Sequence, residues 1–487
     1  MIPVATSSEV RAADEMALGQ VSHETLVARA GTHVARAASQ MIAPVYGRRV
    51  VVVAGKGSNG ADGRVAAALL AKRGALVRVV DAADDLHEIS GCDLVIDAAY
   101  GTGFHGTYNA PSLVGDPLVG DPLVVAVDIP SGVSADTGEV SGRPMMANKT
   151  VTFAALKPGL LMGEGKTFAG SIDVADIGVV VDDARAALVE DSDVENGLPR
   201  RDESGHKWKT AVAVIAGSPL MRGAPVLCAT GALRAGAGMV LTGTPGESYS
   251  TNASAPPPCS SPREAVHVEL SGVEWAAQAL EQIDRCKALV IGPGIGRSPE
   301  SRSQILEVIE RAPVPVVVDA DALAAFDGVD ALRRVAMSRS HETVLTPHDG
   351  EYAALAKRAP GADRIAAAST IARACAATVL LKGSLTTIAY VPSGRGSGGA
   401  LDEGTPVRVL LVNSGSSKLA TAGTGDVLSG MIAAFIARGL EPFIAAAFAA
   451  HVHGRAASIG PGEGLVAGDL PGLASRWLSG ERPRRGS

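Results

Sequence analysis

The chain has 487 residues, enough for two or three domains. Its hydrophobic fraction of 46% supports large aliphatic cores, since only 3% of the residues are aromatic. A formal net charge of −7 argues against nucleic acid as a main partner, because phosphate binding requires a basic face. The cysteines form no Cys-x-x-Cys pair, and the first residues lack the basic-then-apolar layout of a signal peptide. We therefore expect a cytoplasmic protein with neither a zinc site nor a disulfide framework.

The first half alternates helix-like and strand-like segments. Helices are predicted over residues 7–18, 24–41 and 60–73. Strands are predicted over residues 50–54, 76–81, 94–98, 123–130, 150–155 and 171–177. The continuous Val/Ile character of these strands is typical of a parallel sheet that is covered on both faces. A tandem repeat of Leu-Val-Gly-Asp-Pro over residues 113–122 is interpreted as a loop insertion without a chemical role.

A charged stretch without clear strand periodicity, residues 182–201, predicts a boundary between a domain over 1–200 and a second over 201–487. The second series of predicted strands covers residues 211–216, 239–242, 288–291, 315–319, 344–346, 378–381 and 407–412. Two Gly/Ser/Pro-rich stretches, 244–262 and 392–406, are predicted to be surface loops. The apolar run 427–450 is interrupted by charges and a proline, which predicts two buried helices rather than a membrane span.

A glycine-rich loop follows the first predicted strand of the first half. Gly55, Gly57 and Gly60 match Gly-x-Gly-x-x-Gly at the start of a helix, and Asp81 lies about twenty residues further on, as in a dinucleotide-binding fold. Alone, this pattern is a weak prediction of NAD binding. Asn59 and Asp62 add polar side chains that a bare backbone cradle does not need.

Polar residues also follow other strands of the first half, at 97–103 and 128–132. The carboxyl ends of parallel strands converge on one crevice, so Asn59, Asp97 and Ser131 are candidate oxygen ligands for a hard cation. Asp128 remains as a candidate base, and Lys157 is a weaker candidate beside it. The alternative is that each aspartate only caps a turn.

In the second half, Gly423-Thr-Gly425 leads directly into an apolar helix, with Asp426 at its start. Free N–H groups at a helix N-terminus attract phosphate, and glycines allow a close approach. A carboxylate beside such a site suggests proton transfer or cation binding. The alternative is an ordinary N-cap after a tight turn. The chain contains no Gly-x-x-x-x-Gly-Lys-Ser/Thr motif.

The motifs of the first half resemble the N-terminal domain of the bifunctional NAD(P)H-hydrate repair enzymes, which is an NAD(P)HX epimerase. The matching segments are Ser58-Asn-Gly-Ala-Asp-Gly63, residues 97–103, residues 128–132 and Phe153-Ala-Ala-Leu-Lys-Pro-Gly159. Ser58 and Ala61 stand where the family usually has Asn and Gly. The resemblance implies K⁺ on Asn59, Asp97 and Ser131. It implies substrate contacts at Ser58, Asn59, Gly60, Ala61, Asp62, Gly101, Thr102, Gly103, Phe104, His105, Gly106, Thr107 and Asp128.

The motifs of the second half resemble the C-terminal domain of the same family, an ADP-dependent (S)-NAD(P)HX dehydratase of ribokinase-like fold. They are the segments 217–224, 292–296, 319–323, 346–351, 382–386 and 423–426, each after a predicted strand or before the apolar helix. The resemblance implies nucleotide contacts at Lys382, Gly383, Ser384, Leu385, Thr386 and Gly425. It implies hydrate contacts at Ala224, Gly294, His348 and Asp426, although a histidine in a loop is often merely exposed.

The expected fold is α/β, with a Rossmann-like parallel-sheet sandwich followed by a ribokinase-like α/β domain. The expected function is epimerisation of (R)- and (S)-NAD(P)HX and ADP-dependent dehydration of the S form, with AMP and phosphate as by-products. Asp426 and Asp128 are the candidate bases, and ADP, Mg²⁺ and K⁺ are the expected cofactors. A homo-oligomer acting on small molecules, without nucleic acid or membrane partners, is expected.

Two alternatives remain open at this stage. A kinase of a small alcohol or vitamin precursor would use the Gly423–Asp426 segment equally well, but it would not need the first half. The first half could instead be a non-catalytic nucleotide-sensing module.

Overall fold

The computed structural model describes residues 1–84, 86–115, 120–182, 184–200, 205–246, 261–392 and 406–482. The chain divides into two compact units, Ile2–Ala186 and Ala187–Ser487, with Met1 assigned to the second. Much of the predicted loops 244–262 and 392–406, and residues 116–119 of the tandem repeat, lie outside the described residues. No helix in the described ranges is long and apolar enough to cross a membrane.

The first unit alternates strands and helices. Its strands are β1 (Ile2–Val4), β2 (Arg49–Ala54), β3 (Leu76–Asp81), β4 (Glu88–Ser90), β5 (Leu94–Ala98), β6 (Tyr108–Asn109), β7 (Ser112–Val114), β8 (Leu123–Val127), β9 (Gly142–Arg143), β10 (Lys149–Phe153) and β11 (Ser171–Ala175). Its helices are α1 (Ser7–Leu18), α2 (His23–Met41), α3 (Ser58–Lys72) and α4 (Gly165–Ala169).

A six-stranded sheet with the order β11-β10-β8-β5-β2-β3 forms the centre of this unit, and its neighbouring strands are parallel. The inner strands are buried on both faces, as in Val50–Ala54 and Leu94–Ala98, which explains their continuous apolar character. One face packs against α2 and α3, which contribute small residues such as Ala30, Ala38 and Ala66. This order places the carboxyl ends of β2, β5, β8 and β10 side by side.

The second unit begins with β12 (Ala186–Leu188) at the junction. Its further strands are β13 (Ala211–Ile215), β14 (Met239–Pro245), β15 (Val266–Leu270), β16 (Ala288–Ile291), β17 (Val316–Val318), β18 (Thr343–Leu345), β19 (Thr378–Leu381), β20 (Thr386–Tyr390) and β21 (Arg408–Val412). Its helices are α5 (Asp191–Gly197), α6 (Gly223–Arg234), α7 (Ala276–Ile283), α8 (Pro299–Arg311), α9 (Val329–Ser338), α10 (Asp349–Ala356), α11 (Arg364–Cys375), α12 (Thr424–Ala437), α13 (Pro442–Ile459) and α14 (Leu470–Leu478).

The strand order in this unit runs β21-β20-β19-β18-β17-β16-β13-β14-β15. The ladder is parallel from β15 to β19 and becomes antiparallel at β20 and β21. The helices α12 and α13 are almost wholly buried in the core, as the interrupted apolar run 427–450 predicts. A mainly parallel sheet covered by helices confirms the predicted α/β class for both halves.

Most predicted strand ends agree with the structure within two residues, but the end predicted at residue 130 is three residues too late and the end predicted at residue 242 is three residues too early. The strand predicted over 123–130 ends at Val127, because Asp128 has a left-handed backbone with φ of 66°. The strand predicted over 150–155 ends at Phe153, because Ala154 has a φ of 62°. Left-handed residues cannot continue a strand, and both follow strands that end at the first site. The antiparallel strand β20 was not predicted.

Candidate functional sites

A cavity of about 980 Å³ opens at the carboxyl ends of the strands in the first unit. Its lining includes these predicted residues: Ser58, Asn59, Asp62, Gly101, Thr102, Gly103, Phe104, His105, Asp128 and Lys157. Gly60, Ala61, Gly106 and Thr107 were also predicted to contact substrate, but they are not among the lining residues. The predicted cation ligands Asp97 and Ser131 are likewise not on the cavity wall.

Asp128 and Lys157 form a buried ion pair in this cavity. The Lys157 ammonium donates to Asp128 Oδ1 at 2.6 Å, to the Thr152 hydroxyl at 2.9 Å and to the Phe153 carbonyl at 2.9 Å. The lysine side chain is 1% exposed and the aspartate side chain 13%. All three lysine protons therefore have acceptors, and the carboxylate is fixed in one orientation at the cavity wall.

Two further carboxyl groups, Asp62 and Asp14, line the same cavity. Burial raises the pKa of Asp62 to about 8, and the negative charges of Asp128 and Asp14 add to the effect. Burial also raises the pKa of Asp14, while Lys157 opposes the rise. Asp62 therefore keeps its proton at neutral pH beside the Asp128–Lys157 ion pair, so the cavity holds both a proton donor and a proton acceptor.

The predicted potassium ligands make two sets of contacts. Asp97 is fully buried and accepts hydrogen bonds from the Ser131 hydroxyl at 2.6 Å and from the Ser131 N–H at 2.9 Å. Asn59 lies beside Gly101, where an added Cβ would be 3.3 Å from the Asn59 amide and 3.4 Å from Asp128 Oδ2. The Asn59 amide nitrogen is buried without a hydrogen-bond partner in the described chain.

These ligands suit a hard cation in their chemistry. Burial raises the pKa of Asp97, and none of the described Lys, Arg or His side chains forms an ion pair with it. In the part of the chain that the structure describes, Asp97 is a buried carboxylate without a cationic partner, and the Ser131 hydroxyl lies against it. With the side-chain oxygen of Asn59, these are oxygen ligands of the kind that bind an alkali cation.

The second site lies at the N-terminus of α12. Gly423 caps this helix with a φ of 87° and leaves the cap without a side-chain hydrogen bond. A Cβ on Gly425 would lie 3.5 Å from the Lys382 ammonium and 3.9 Å from Asp319 Oδ2. The first turn of the helix therefore brings backbone N–H groups and a lysine together, as a phosphate cradle requires.

Charge is arranged around Asp319 and Lys382. The lysine donates to Asp319 Oδ1 at 2.9 Å, and the Ser429 hydroxyl donates to Asp319 Oδ2 at 2.7 Å. These two partners help to hold the pKa of Asp319 low against its complete burial. Glu351 lies 3.8 Å from the same ammonium. The lysine charge is thus largely balanced before any ligand is present.

Among the described residues, Asp426, in the first turn of α12, has no such hydrogen-bonding or ion-pair partner. Burial raises its pKa to about 7, the charge of Asp319 raises it further, and Lys382 opposes the rise. A carboxylate that is half ionised near neutral pH suits a general base.

The other residues predicted for this site are spread over neighbouring loops. Gly294, with a φ of 67°, and Ala224 are adjacent, since a Cβ on Gly294 would lie 3.2 Å from the Ala224 Cβ. Gly383 lies against Arg364, which also donates to the Lys382 carbonyl at 2.7 Å. Leu385 is fully buried, and Thr386 begins β20. Ser384 lies between Gly383 and Leu385, in the bend that precedes β20.

His348 has a structural role that the sequence did not suggest. It is the N-cap of α10, where its Nδ1 accepts from the N–H groups of Gly350 at 3.0 Å and Glu351 at 3.3 Å. Its side chain is 59% exposed and lines a separate cavity of about 410 Å³. Asp426 and Lys382 are not among the lining residues of that cavity.

Several residues at these sites were missed from sequence. Asp14 comes from α1, far from any glycine motif, and Ser429 lies one turn into a helix that looks purely apolar. Arg364 fixes the loop after β19 through Asp349 and the Lys382 carbonyl. Each acts across a long separation in the chain, which no local pattern reveals.

Comparison with known proteins finds a family match for each half of the chain. A family model described as NAD(P)H-hydrate dehydratase matches residues 212–477, and a model described as YjeF-related protein N-terminus matches residues 23–88 and 80–159. The chain is 35% identical to the bifunctional NAD(P)H-hydrate repair enzyme Nnr of Moorella thermoacetica, over 88% of this chain and 86% of the relative. It is also 35% identical to the enzyme of that name from Mycobacterium leprae, over 89% of this chain and 88% of the relative.

Among solved structures, the ADP/ATP-dependent NAD(P)H-hydrate dehydratase of Bacillus subtilis, co-crystallised with ATP and Mg²⁺, is 28% identical to this chain. The match covers 60% of this chain and 98% of that one, with a TM-score of 0.48.

Proposed function

The chain belongs to the family of bifunctional NAD(P)H-hydrate repair enzymes, and we propose that it performs both activities. The first unit interconverts (R)- and (S)-NAD(P)HX, and the second dehydrates the S epimer to NAD(P)H with ADP as phosphoryl donor. One observation carries this proposal. A single chain holds a cavity with a buried Asp128–Lys157 pair and, separately, a helix N-terminus that joins Lys382 to Asp426, whose pKa is about 7.

Epimerisation requires only proton transfer at the hydroxyl on C6 of the nicotinamide ring. The neutral Asp62 carboxyl donates its proton to this hydroxyl, which leaves as water while the ring nitrogen lone pair forms the C6=N bond. Asp128 then accepts a proton as water adds to the opposite face of C6, and Lys157 holds this carboxylate in position. The proton passes back to Asp62, so no proton is gained or lost overall.

Dehydration requires a better leaving group than hydroxide. Asp426 takes the proton of the C6 hydroxyl as its oxygen attacks the β-phosphorus of ADP, and AMP leaves. Gly425 and the first turn of α12 present N–H groups to the phosphoryl oxygens, while Lys382 balances their charge. The ring nitrogen then expels phosphate from C6, and loss of a proton from C5 restores NAD(P)H.

Two metal ions are part of this proposal. Mg²⁺ accompanies the nucleotide, because the neighbouring carboxylates are already engaged: Asp319 by Lys382 and Ser429, and Asp321 by Gly296 and Arg297. When bound, it neutralises charge on the transferring phosphate. K⁺ would be held by Asn59, Asp97 and Ser131, where it would stabilise the buried Asp97 charge and fix the loops around the cavity. The homo-oligomer and the cytoplasmic location remain predictions.

The test uses separated epimers of NADHX and the full chain. With ADP and K⁺, both epimers should recover the absorbance of NADH, with one AMP and one phosphate released per turnover. Asp128→Asn should still convert the S epimer but lose conversion of the R epimer. Failure of the wild-type protein to convert the R epimer would reject the epimerase. A stable phosphorylated alcohol in a substrate screen, without NADH recovery, would instead favour a small-molecule kinase.

A further inference from the structure

Gly55, Gly57 and Asp81 have no role in the chemistry described above, yet all three line the first cavity. Gly55 and Gly60 are required by close packing, because a Cβ on Gly55 would lie 2.0 Å from the Ala99 carbonyl oxygen and one on Gly60 would lie 1.9 Å from that of Gly55. Gly57 has open space in front of it. This is the geometry of a dinucleotide loop, with tight turns at two glycines and ligand access at the third.

Asp81 ends β3, the edge strand next to β2. It lines the cavity together with Ala82 and Ala83. Its Oδ1 accepts from the Ala83 N–H at 2.9 Å, which holds the side chain in a turn at the strand end. Within the described chain, no Lys, Arg or His side chain forms an ion pair with this carboxylate. Its second oxygen is therefore available to accept hydrogen bonds from a ligand.

The sheet order separates Asp81 from the reacting end of the cavity. Asp128 follows β8, and three strand spacings lie between β3 and β8 in the order β8-β5-β2-β3. At about 4.8 Å per spacing this is roughly 14 Å. A nicotinamide ring and its ribose are too short to contact both Asp128 and Asp81. A dinucleotide that fills the cavity from Asp128 to Asp81 must therefore place its adenosine half near Asp81.

We infer that Asp81 binds the ribose hydroxyls of the adenosine half and makes the first site prefer NADHX to NADPHX. A carboxylate accepts two hydroxyl donors well, but it repels the phosphate that NADPHX carries at one of these hydroxyls. Lys56, His23 and His105 also line this cavity, but within the described chain none of them is paired with Asp81 to offset this repulsion. The inference rests on the proposed epimerase activity and adds its substrate preference.

The experiment compares the conversion of (R)-NADHX and (R)-NADPHX by the full chain without ADP, so that the dehydratase is silent. Wild-type protein should favour NADHX by on the order of 10-fold in kcat/KM. Asp81→Asn should lower this ratio toward one, mainly by raising the rate with NADPHX. Asp84→Asn is the matched control, because Asp84 is exposed, lies three residues away and does not line the cavity. A wild-type ratio near one, or an unchanged ratio in Asp81→Asn, would overturn the inference.

A binding measurement separates this inference from the proposed activity. ADP-ribose and its 2′-phosphate are titrated into wild-type protein and Asp81→Asn without ADP, and the difference between the two proteins isolates binding at the first site. Wild-type protein should bind ADP-ribose on the order of 10-fold more tightly than the 2′-phosphate, and the variant should not discriminate. Equal binding by wild-type protein rejects the role of Asp81, whereas discrimination without turnover rejects only the epimerase. The wild-type arm remains decisive even if Asp81→Asn fails to fold.

Discussion

Asp426 offers the sharpest test of the dehydratase mechanism, because its ionisation should be visible in the rate. With a pKa of about 7, the carboxyl is about one tenth ionised at pH 6 and about nine tenths at pH 8. The base acts in its ionised form, so activity is present above pH 7 and is lost as the pH falls through this value. kcat/KM for (S)-NADHX should therefore rise by roughly tenfold between pH 6 and pH 8.

Two further features of the profile follow from the charges around Asp426. Bound ADP adds negative charge and raises the pKa of Asp426. The fall of kcat at acid pH should therefore occur at a higher pH than the fall of kcat/KM. Asp426→Asn should lower kcat by roughly 10²–10⁴-fold and abolish this fall at acid pH. Asp284→Asn, at an exposed position after α7, is the control. Rates are measured as recovered NADH absorbance with ADP saturating. A flat profile from pH 6 to 8, or an Asn variant with wild-type kcat, would refute the assignment.

Three other predictions test the electrostatics of the sites. Lys157→Met should abolish R-to-S conversion and lower the Tm of the chain. The cause is that the Asp128 charge stays buried without its partner, which costs roughly 3–5 kcal/mol of folding stability. Dehydration of the S epimer should survive in the same sample. Asp62→Asn should lose epimerase activity, yet its free energy of unfolding should exceed that of wild type increasingly as the pH rises. The reason is that the Asp62 carboxyl has a pKa of about 8 in the folded protein against 3.8 in the unfolded chain, which destabilises the folded wild type progressively above pH 4 and fully above pH 8. The gain, at most roughly 6 kcal/mol on these two pKa values, should appear in urea unfolding at pH 9 and disappear at pH 4. Asp319→Asn should shift the fall in dehydratase rate at acid pH to a lower pH than in wild type, because Lys382 then acts on Asp426 without an opposing charge. A fall at the same or a higher pH would contradict the account of the second site.

Local sequence patterns were sufficient for the strands and for the residues that follow them. Buried parallel strands consist of aliphatic runs, so β3, β5, β16 and β19 were predicted with their observed ends. Polar residues directly after such strands must lie at one edge of the sheet, and this rule placed Asp128 and Lys157 in one cavity. The same patterns failed where the backbone turns left-handed, at Asp128 and Ala154, since nothing in the aliphatic run signals the turn.

Contacts between residues that are far apart in the sequence could not be predicted from local sequence patterns. The effect of Asp14 on Asp62 depends on how α1 packs, and the bond from Ser429 to Asp319 joins residues 110 positions apart. The role of His348 as an N-cap was hidden because histidine is a rare cap, although Glu351 three residues later is the usual partner in a capping box. These contacts come from tertiary packing, and they set the pKa values on which the chemistry depends.

The two sites share one electrostatic arrangement. In each, a lysine is neutralised by one aspartate, Lys157 by Asp128 at 2.6 Å and Lys382 by Asp319 at 2.9 Å. In each, a second aspartate is buried nearby and forms no ion pair with a cationic side chain of the described residues, and the charge of the paired aspartate adds to the effect of burial on its pKa. The pairs fix position and charge, and the second carboxyls, Asp62 and Asp426, titrate near neutral pH. Proton transfer in both halves should therefore depend on the unpaired aspartate, with the pair determining the pH at which it acts.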